Sequence, residues 1–319
     1  MIALVELVHY ITIALVVSIS SIAVGISEGL ASAAAIDAID MQPKARSEIA
    51  NTAILGMALI ETAAIMGITI AMILLFGFQE QIKTFYFSIA EIGIIFAICI
   101  SGFTIGLVSC WPVKKACAAI ARQPFHAKKI LRFMLITQTI IQTPIIFCFI
   151  IAMFIKAQAP LVTTLADGMR LAASGLCIGL GSVGPAIGLA HFAQSACQAI
   201  GVNPKSYNKI LSFTFLSEAI IETPIIFSLV VSLLLMIISV KNTNPSEGVA
   251  LLAAGLCMGI GTFAPGISSG RTAAQACKQI ALSPENSSTL TKVSIFCQGM
   301  IDTCAIYTLI ISLALIFIR

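Results

Sequence analysis

The chain has 319 residues, 59% of them hydrophobic and only 10% charged, with a formal net charge of +4 and a mean hydropathy of +1.04. Soluble domains carry about 25% charged residues, and 14 acids with 18 bases cannot coat a globule of this length in solvated side chains. The composition excludes soluble enzymes and indicates a membrane protein. Ten cysteines form no Cys-x-x-Cys pair and sit mostly in apolar runs such as Ile98-Cys99-Ile100, so they read as small packing residues.

The first apolar run starts without a basic segment or a small-residue cleavage site and is read as a membrane helix rather than a leader. Prolines in polar breaks recur at Pro43, Pro124, Pro204 and Pro284, in steps of 81, 80 and 80 residues. Such a fixed period marks an internal repeat. Four units follow, 1–80, 81–160, 161–241 and 242–319, each with two apolar runs joined at the proline. The expected spans are 5–40, 47–77, 84–119, 128–156, 165–200, 208–240, 247–280 and 288–318. All exceed the roughly 20 residues that cross a bilayer. The predicted fold is an all-α membrane protein of four tandem helical hairpins, eight helices in all.

Thirteen of the 18 Lys and Arg residues lie toward the proline ends, whereas Lys83, Lys156, Arg170, Lys241 and Arg319 lie toward the other. The positive-inside rule then places the proline loops in the cytoplasm and both termini outside, for a multi-pass protein of a plasma or energy-coupling membrane.

Eighteen residues past each proline stand Glu61, Gln142, Glu222 and Asp302, deep in the second helix of each hairpin. A charge at the bilayer centre costs about 2.5–3.5 kcal/mol even on insertion scales. Three acids at one depth therefore suggest ion binding more than a structural polar contact. A threonine follows each, at Thr62, Thr143, Thr223 and Thr303, able to donate to a carboxylate or coordinate a small cation, or else to bond its own helix. Fifteen residues before each proline stand Glu28, Ser109, Leu189 and Ser269, at similar depth on the antiparallel first helix. Glu28 is expected to face Glu61, the two sharing a proton or neutralised by a cation such as Na⁺.

Pro144 and Pro224 deprive the carbonyls of Ile140 and Ile220 of their helical partner, which either frees them for water or an ion or simply kinks the helix. Gly175, Gly179 and Gly181 recur as Gly255, Gly259 and Gly261, and such small residues let helices approach closely to form an inner wall. The run Gly179 to Gly184 matches G-x-G-x-x-G, but no strand precedes it, so it is no nucleotide loop. Glu218 and Gln138, one turn before the site, extend its polar network or bond a neighbouring helix. His9, His126 and His191 join no cluster.

A small-residue helix, the loop Ala121-Arg122-Gln123-Pro124 and a returning helix with one mid-membrane acid resemble the proteolipid c subunit of rotary ATP synthases, here as four fused copies. The resemblance implies a homo-oligomeric rotor ring in membrane lipid, with Glu61, Glu222 and Asp302 binding the transported ion. It implies contacts with a stator a subunit, whose arginine discharges each acid, and no nucleic-acid partner. The loops, with Gln42, Pro43, Arg122, Gln123, Pro124, Asn203, Pro204, Ser283 and Pro284, would meet the central stalk of the catalytic head. No cofactor is implied, and ATP chemistry falls to partner subunits.

Gln142 departs from the pattern because it cannot ionise, as in duplicated proteolipids of vacuolar-type pumps; three ions per four hairpins would follow. The Arg-Gln-Pro loop itself survives only in hairpin two. Protons are the expected cargo. Na⁺ is the alternative, since Na⁺-binding members pair the acid with a first-helix Gln or Glu, a following Ser or Thr and an aromatic. Glu28, Glu61 and Thr62 match that set, and Tyr307 resembles the aromatic. Outside the family, the rivals are a secondary ion-coupled transporter, whose repeats are often inverted, and a structural membrane proteolipid.

Overall fold

The computed structural model describes residues 2–77, 84–240 and 245–318. Eight helices of membrane length run through them: α1 (Val5–Met41), α2 (Pro43–Phe76), α3 (Phe85–Arg122), α4 (Pro124–Leu161), α5 (Leu165–Val202), α6 (Pro204–Ile237), α7 (Ser246–Leu282) and α8 (Pro284–Phe317). The described residues contain no strand. Lys83, Lys241 and Arg319, counted in the charge asymmetry, lie outside the described residues.

Each hairpin turns at its proline in the same way. The residue ahead of it is extended, with φ and ψ of −143° and 77° at Gln42, −133° and 68° at Gln123, −137° and 88° at Asn203 and −129° and 74° at Ser283. Proline disfavours the helical region for its predecessor, which stops the first helix there. The proline then opens a single 3₁₀ turn, where a missing amide proton costs nothing. Proline also marks breaks within helices. Pro112, Pro265 and Pro144 lie two or three residues beyond one-residue interruptions at Ser109, Thr262 and Gln142, whereas the helix continues through Pro185 and Pro224.

The first helices stack in chain order, α1 on α3, α3 on α5 and α5 on α7, with α2, α4, α6 and α8 covering one side of that row. Backbone touches backbone along the wall. A Cβ on Gly175 or Gly179 of α5 would strike the main chain of Gly93 or Phe96 in α3, and one on Gly188 would strike Gly266 in α7. Gly181 and Gly261 point instead at Ser228 and Thr308, so they admit the covering helices. Apolar side chains fill the remaining volume, with Phe133, Phe192 and Phe213 wholly buried and Phe192 and Phe213 meeting edge to face at 5.9 Å.

The row has two open ends. The central α5 is buried along most of its length, whereas α1 and α8 at the two ends are largely uncovered. Gly25 and Gly29 of α1 have nothing within 4 Å of a Cβ, whereas Gly106 and Gly266, at the register of Gly25, pack on the preceding first helix.

Replacing Gly270 by Val, which would drive a side chain into the Gly188 backbone, is expected to cost at least 1–3 kcal/mol, roughly the range for overpacking. Gly299→Ala, which meets open space, should be neutral. Heat denaturation in detergent distinguishes them.

Candidate functional site

Because the four hairpins share one turn geometry, residues at equal distance past the prolines come to equal depth, and Glu61, Gln142, Glu222 and Asp302 occupy one level of the covering helices. Their surroundings differ. In hairpin one Glu28 stands beside Glu61 within hydrogen-bonding reach, so the antiparallel register brings the two carboxyls together. Glu61 is exposed and Glu28 half-buried.

Hairpin two builds a neutral clasp at this level. Gln142 donates through Nε2 to Ser109 Oγ at 2.9 Å, Gln138 donates through Nε2 to the Ser109 carbonyl at 3.0 Å, and Ser109 Oγ in turn donates to the Ile105 carbonyl at 2.6 Å. Both amides are buried. The arrangement holds α4 to α3 without charge, and Gln138 thus bonds a neighbouring helix.

Hairpin three places Glu222 on the seam with hairpin two, where the Thr143 hydroxyl lies in reach of its carboxyl. The threonine after one site residue therefore serves the acid of the next hairpin. Glu218 is buried one turn away beside Glu222, and Leu189 leaves the first helix without a polar group at this level. In hairpin four, Asp302 is 6% exposed and its Oδ1 has no hydrogen-bond partner. Gln298 below it donates to Ser217 Oγ at 3.3 Å and Ser294 Oγ at 3.0 Å.

Thr223 and Thr303 turn inward on their own helices. Thr223 donates to the Ala219 carbonyl at 3.2 Å and Thr303 to the Met300 carbonyl at 2.7 Å. Their oxygen lone pairs stay available to an ion. Tyr307 is 64% exposed on the open face of α8. Among the described residues no group of three His, Cys, Asp or Glu side chains converges to hold a metal ion, so an ion at Glu28, Glu61 and Thr62 would rest on two carboxyls and a hydroxyl.

At the proline end, Arg122 and Pro43 are exposed, and Gln42, Gln123, Pro124, Asn203, Pro204, Ser283 and Pro284 are half-buried. Neighbouring loops are stitched together there. Asn203 Nδ2 donates to the Ala281 carbonyl at 2.9 Å, Lys209 Nζ donates to the Pro284 carbonyl at 2.7 Å, and the Lys129 ammonium sits 5.8 Å from the centre of the Tyr207 ring.

Among the described residues His9 joins no group of three such side chains, as expected, but it has a partner: its Nδ1 lies 2.6 Å from Glu91 Oε1, both side chains buried between α1 and α3 near the ends opposite the prolines. The partners are 82 residues apart, one position out of step with the repeat. Neither residue recurs in another hairpin, so periodicity gave no sign of the pair.

An all-α membrane protein of tandem hairpins, glycine-packed inside and with acids at one depth outside, belongs to the class of duplicated membrane proteolipids. Residues 11–74, 172–235 and 252–315 match the model of the ATP synthase C subunit family, and the chain belongs to that family. The matched segments carry Glu61, Glu222 and Asp302; Gln142 lies outside them. The chain is similar to the ATP synthase c subunit of Chloroflexus aurantiacus, 38% identical over 69 residues that make up 22% of this chain and 91% of the relative. It is also similar to the ATP synthase c subunit of Dehalococcoides mccartyi, 40% identical over 74 residues, 23% of this chain and 97% of the relative. It is thus an ion-translocating membrane rotor subunit, without a cofactor and without catalytic chemistry of its own.

His9→Leu leaves Glu91 buried without its imidazole and is expected to cost about 3 kcal/mol, as for other broken buried pairs. The double variant His9→Leu, Glu91→Leu should recover most of that loss in the same denaturation experiment.

Proposed function

We propose that the chain forms the rotor ring of a rotary ATP synthase or ATPase and carries protons on Glu61, Glu222 and Asp302, coupling their flow to rotation. The observation that carries this reading is the recurrence of an acid 18 residues past three of the four prolines, on helices that cover the outside of a close-packed wall. A bare carboxylate in lipid is costly, whereas a protonated or cation-paired one can pass through it. Each acid would travel loaded and neutral, then release its ion opposite a stator arginine.

The open ends support a ring of identical chains. Gly106 and Gly266 each receive the preceding first helix, so Gly25 at the same register is left to receive α7 of another copy. By the same logic Glu61, exposed in one chain, would meet Thr303 and the Tyr307 face of the preceding copy's α8, as Glu222 meets Thr143. The proline loops would face the cytoplasm and dock the central stalk, with both termini outside, in keeping with the basic residues around the loops. Units 1–80, 81–160, 161–241 and 242–319 would act as the four rotor positions, and Gln142 would turn without cargo. Fewer ions per hairpin lower the ion-to-ATP ratio and favour pumping over synthesis.

Na⁺ transport is the second reading, favoured by Glu28 beside Glu61 and Thr62. Dicyclohexylcarbodiimide attacks protonated buried carboxyls. Residue-resolved labelling of the membrane complex is expected at Glu61, Glu222 and Asp302, falling as pH rises and unchanged by Na⁺. Protection by Na⁺ would identify a sodium rotor, and absence of labelling at all three would overturn the rotor reading.

A further inference from the structure

Fourteen residues past the prolines, one helical turn short of the acids, the repeat holds Met57, Gln138, Glu218 and Gln298. The two glutamines spend their amide protons on neighbours: Gln138 on the Ser109 carbonyl, Gln298 on Ser217 and Ser294. Glu218 has no such outlet. It is 1% exposed, neither carboxyl oxygen has a hydrogen-bond partner, and Leu189 stands where hairpin two offers Ser109.

The groups around it are few. Glu222 lies on its own helix, with the Thr143 hydroxyl of α4 beyond it; α5 contributes the Cys197 thiol and α7 the Cys277 thiol; on α8, Gln298 bonds through Nε2 to Ser217, the residue before Glu218, and its Oε1 has no hydrogen-bond partner. Among the described residues no Lys, Arg or His nitrogen lies within salt-bridging distance of Glu218. A second bare carboxylate against Glu222 in this setting would be repelled by it and unsolvated. A carboxylic acid there has one proton to donate, and Glu222 is the carboxyl that can accept it.

We propose that Glu218 is a permanently protonated positioning residue whose O–H donates to the Glu222 carboxylate each time Glu222 gives up its ion. Hairpin three then holds two carboxyls but exchanges one proton. On release, the O–H bond of Glu222 breaks, the proton leaves to the exit path, and Glu218 keeps its own proton while sharing it in a hydrogen bond. In hairpin one the second carboxyl is Glu28, on the first helix; in hairpin three the same chemical element sits on the second helix instead. This deepens the rotor reading and rests on it.

The test uses the assembled membrane complex with Glu218→Gln, Glu218→Met and Glu222→Gln, following ion transport and the pH profile of carbodiimide labelling at Glu222. Glu218→Gln keeps a donor, so transport and the profile should stay close to those of the parent. Glu218→Met places the residue of hairpin one at this register. It removes the donor, and the pH at which Glu222 labelling falls by half should rise by on the order of one to two units, the equivalent of a hydrogen bond to a charged group. A parental profile in Glu218→Met would overturn the donor role, as would loss of transport in Glu218→Gln, which would make Glu218 a carrier. If Glu218→Met does not assemble, Glu218→Gln decides alone. Undiminished transport in Glu222→Gln would instead count against the rotor reading itself.

Discussion

The cost of an unpaired charge in lipid governs the rest of this molecule. With every helix set in or against hydrocarbon, an acid survives only if it is neutralised, paired or able to shed its charge at a defined place. The four hairpins meet that demand in four ways. Hairpin one sets two carboxyls side by side on antiparallel helices, hairpin two replaces the acid by an amide clasped to Ser109, hairpin three stacks two acids on one helix, and hairpin four holds a single aspartate. Duplication has produced a shared frame carrying unequal sites.

That frame depends on glycine. Where Gly175, Gly188 and Gly270 bring main chains into contact, the first helices form a wall thin enough for the second helices to pack outside it. Without Cβ atoms there, dispersion contacts between backbones hold the helices, since in lipid no hydrophobic drive separates apolar helix faces from acyl chains. The acids then stand at the outer layer by construction. The open glycines at Gly25 and Gly29 extend the same packing code to an edge that one chain leaves unfilled.

Much of this was legible in the sequence because it is periodic. The prolines fixed the turns, the turns fixed the depth of every residue counted from them, and similar counts on antiparallel helices, 15 residues back and 18 forward, brought Glu28 to Glu61. Features that break the period were hidden. His9 and Glu91 meet across 82 residues and have no counterparts, so neither stood out from an isolated polar residue. Contacts between hairpins were equally opaque, since counting within one repeat does not reveal that Thr143 reaches Glu222 or that Asn203 bonds the Ala281 carbonyl. The threonine hydroxyls of Thr223 and Thr303 took the local option of their own helix carbonyls, the ordinary behaviour of membrane threonines.

The central claim is that three of four hairpins carry an ion and Gln142 does not. The direct measurement is the number of charges moved per complete turn of the assembled machine, set against the number of hairpins counted in its ring. A ratio of three charges to four hairpins is predicted. One charge per hairpin would mean that hairpin two transports by a route that does not use the residue at position 142, and would contradict the account.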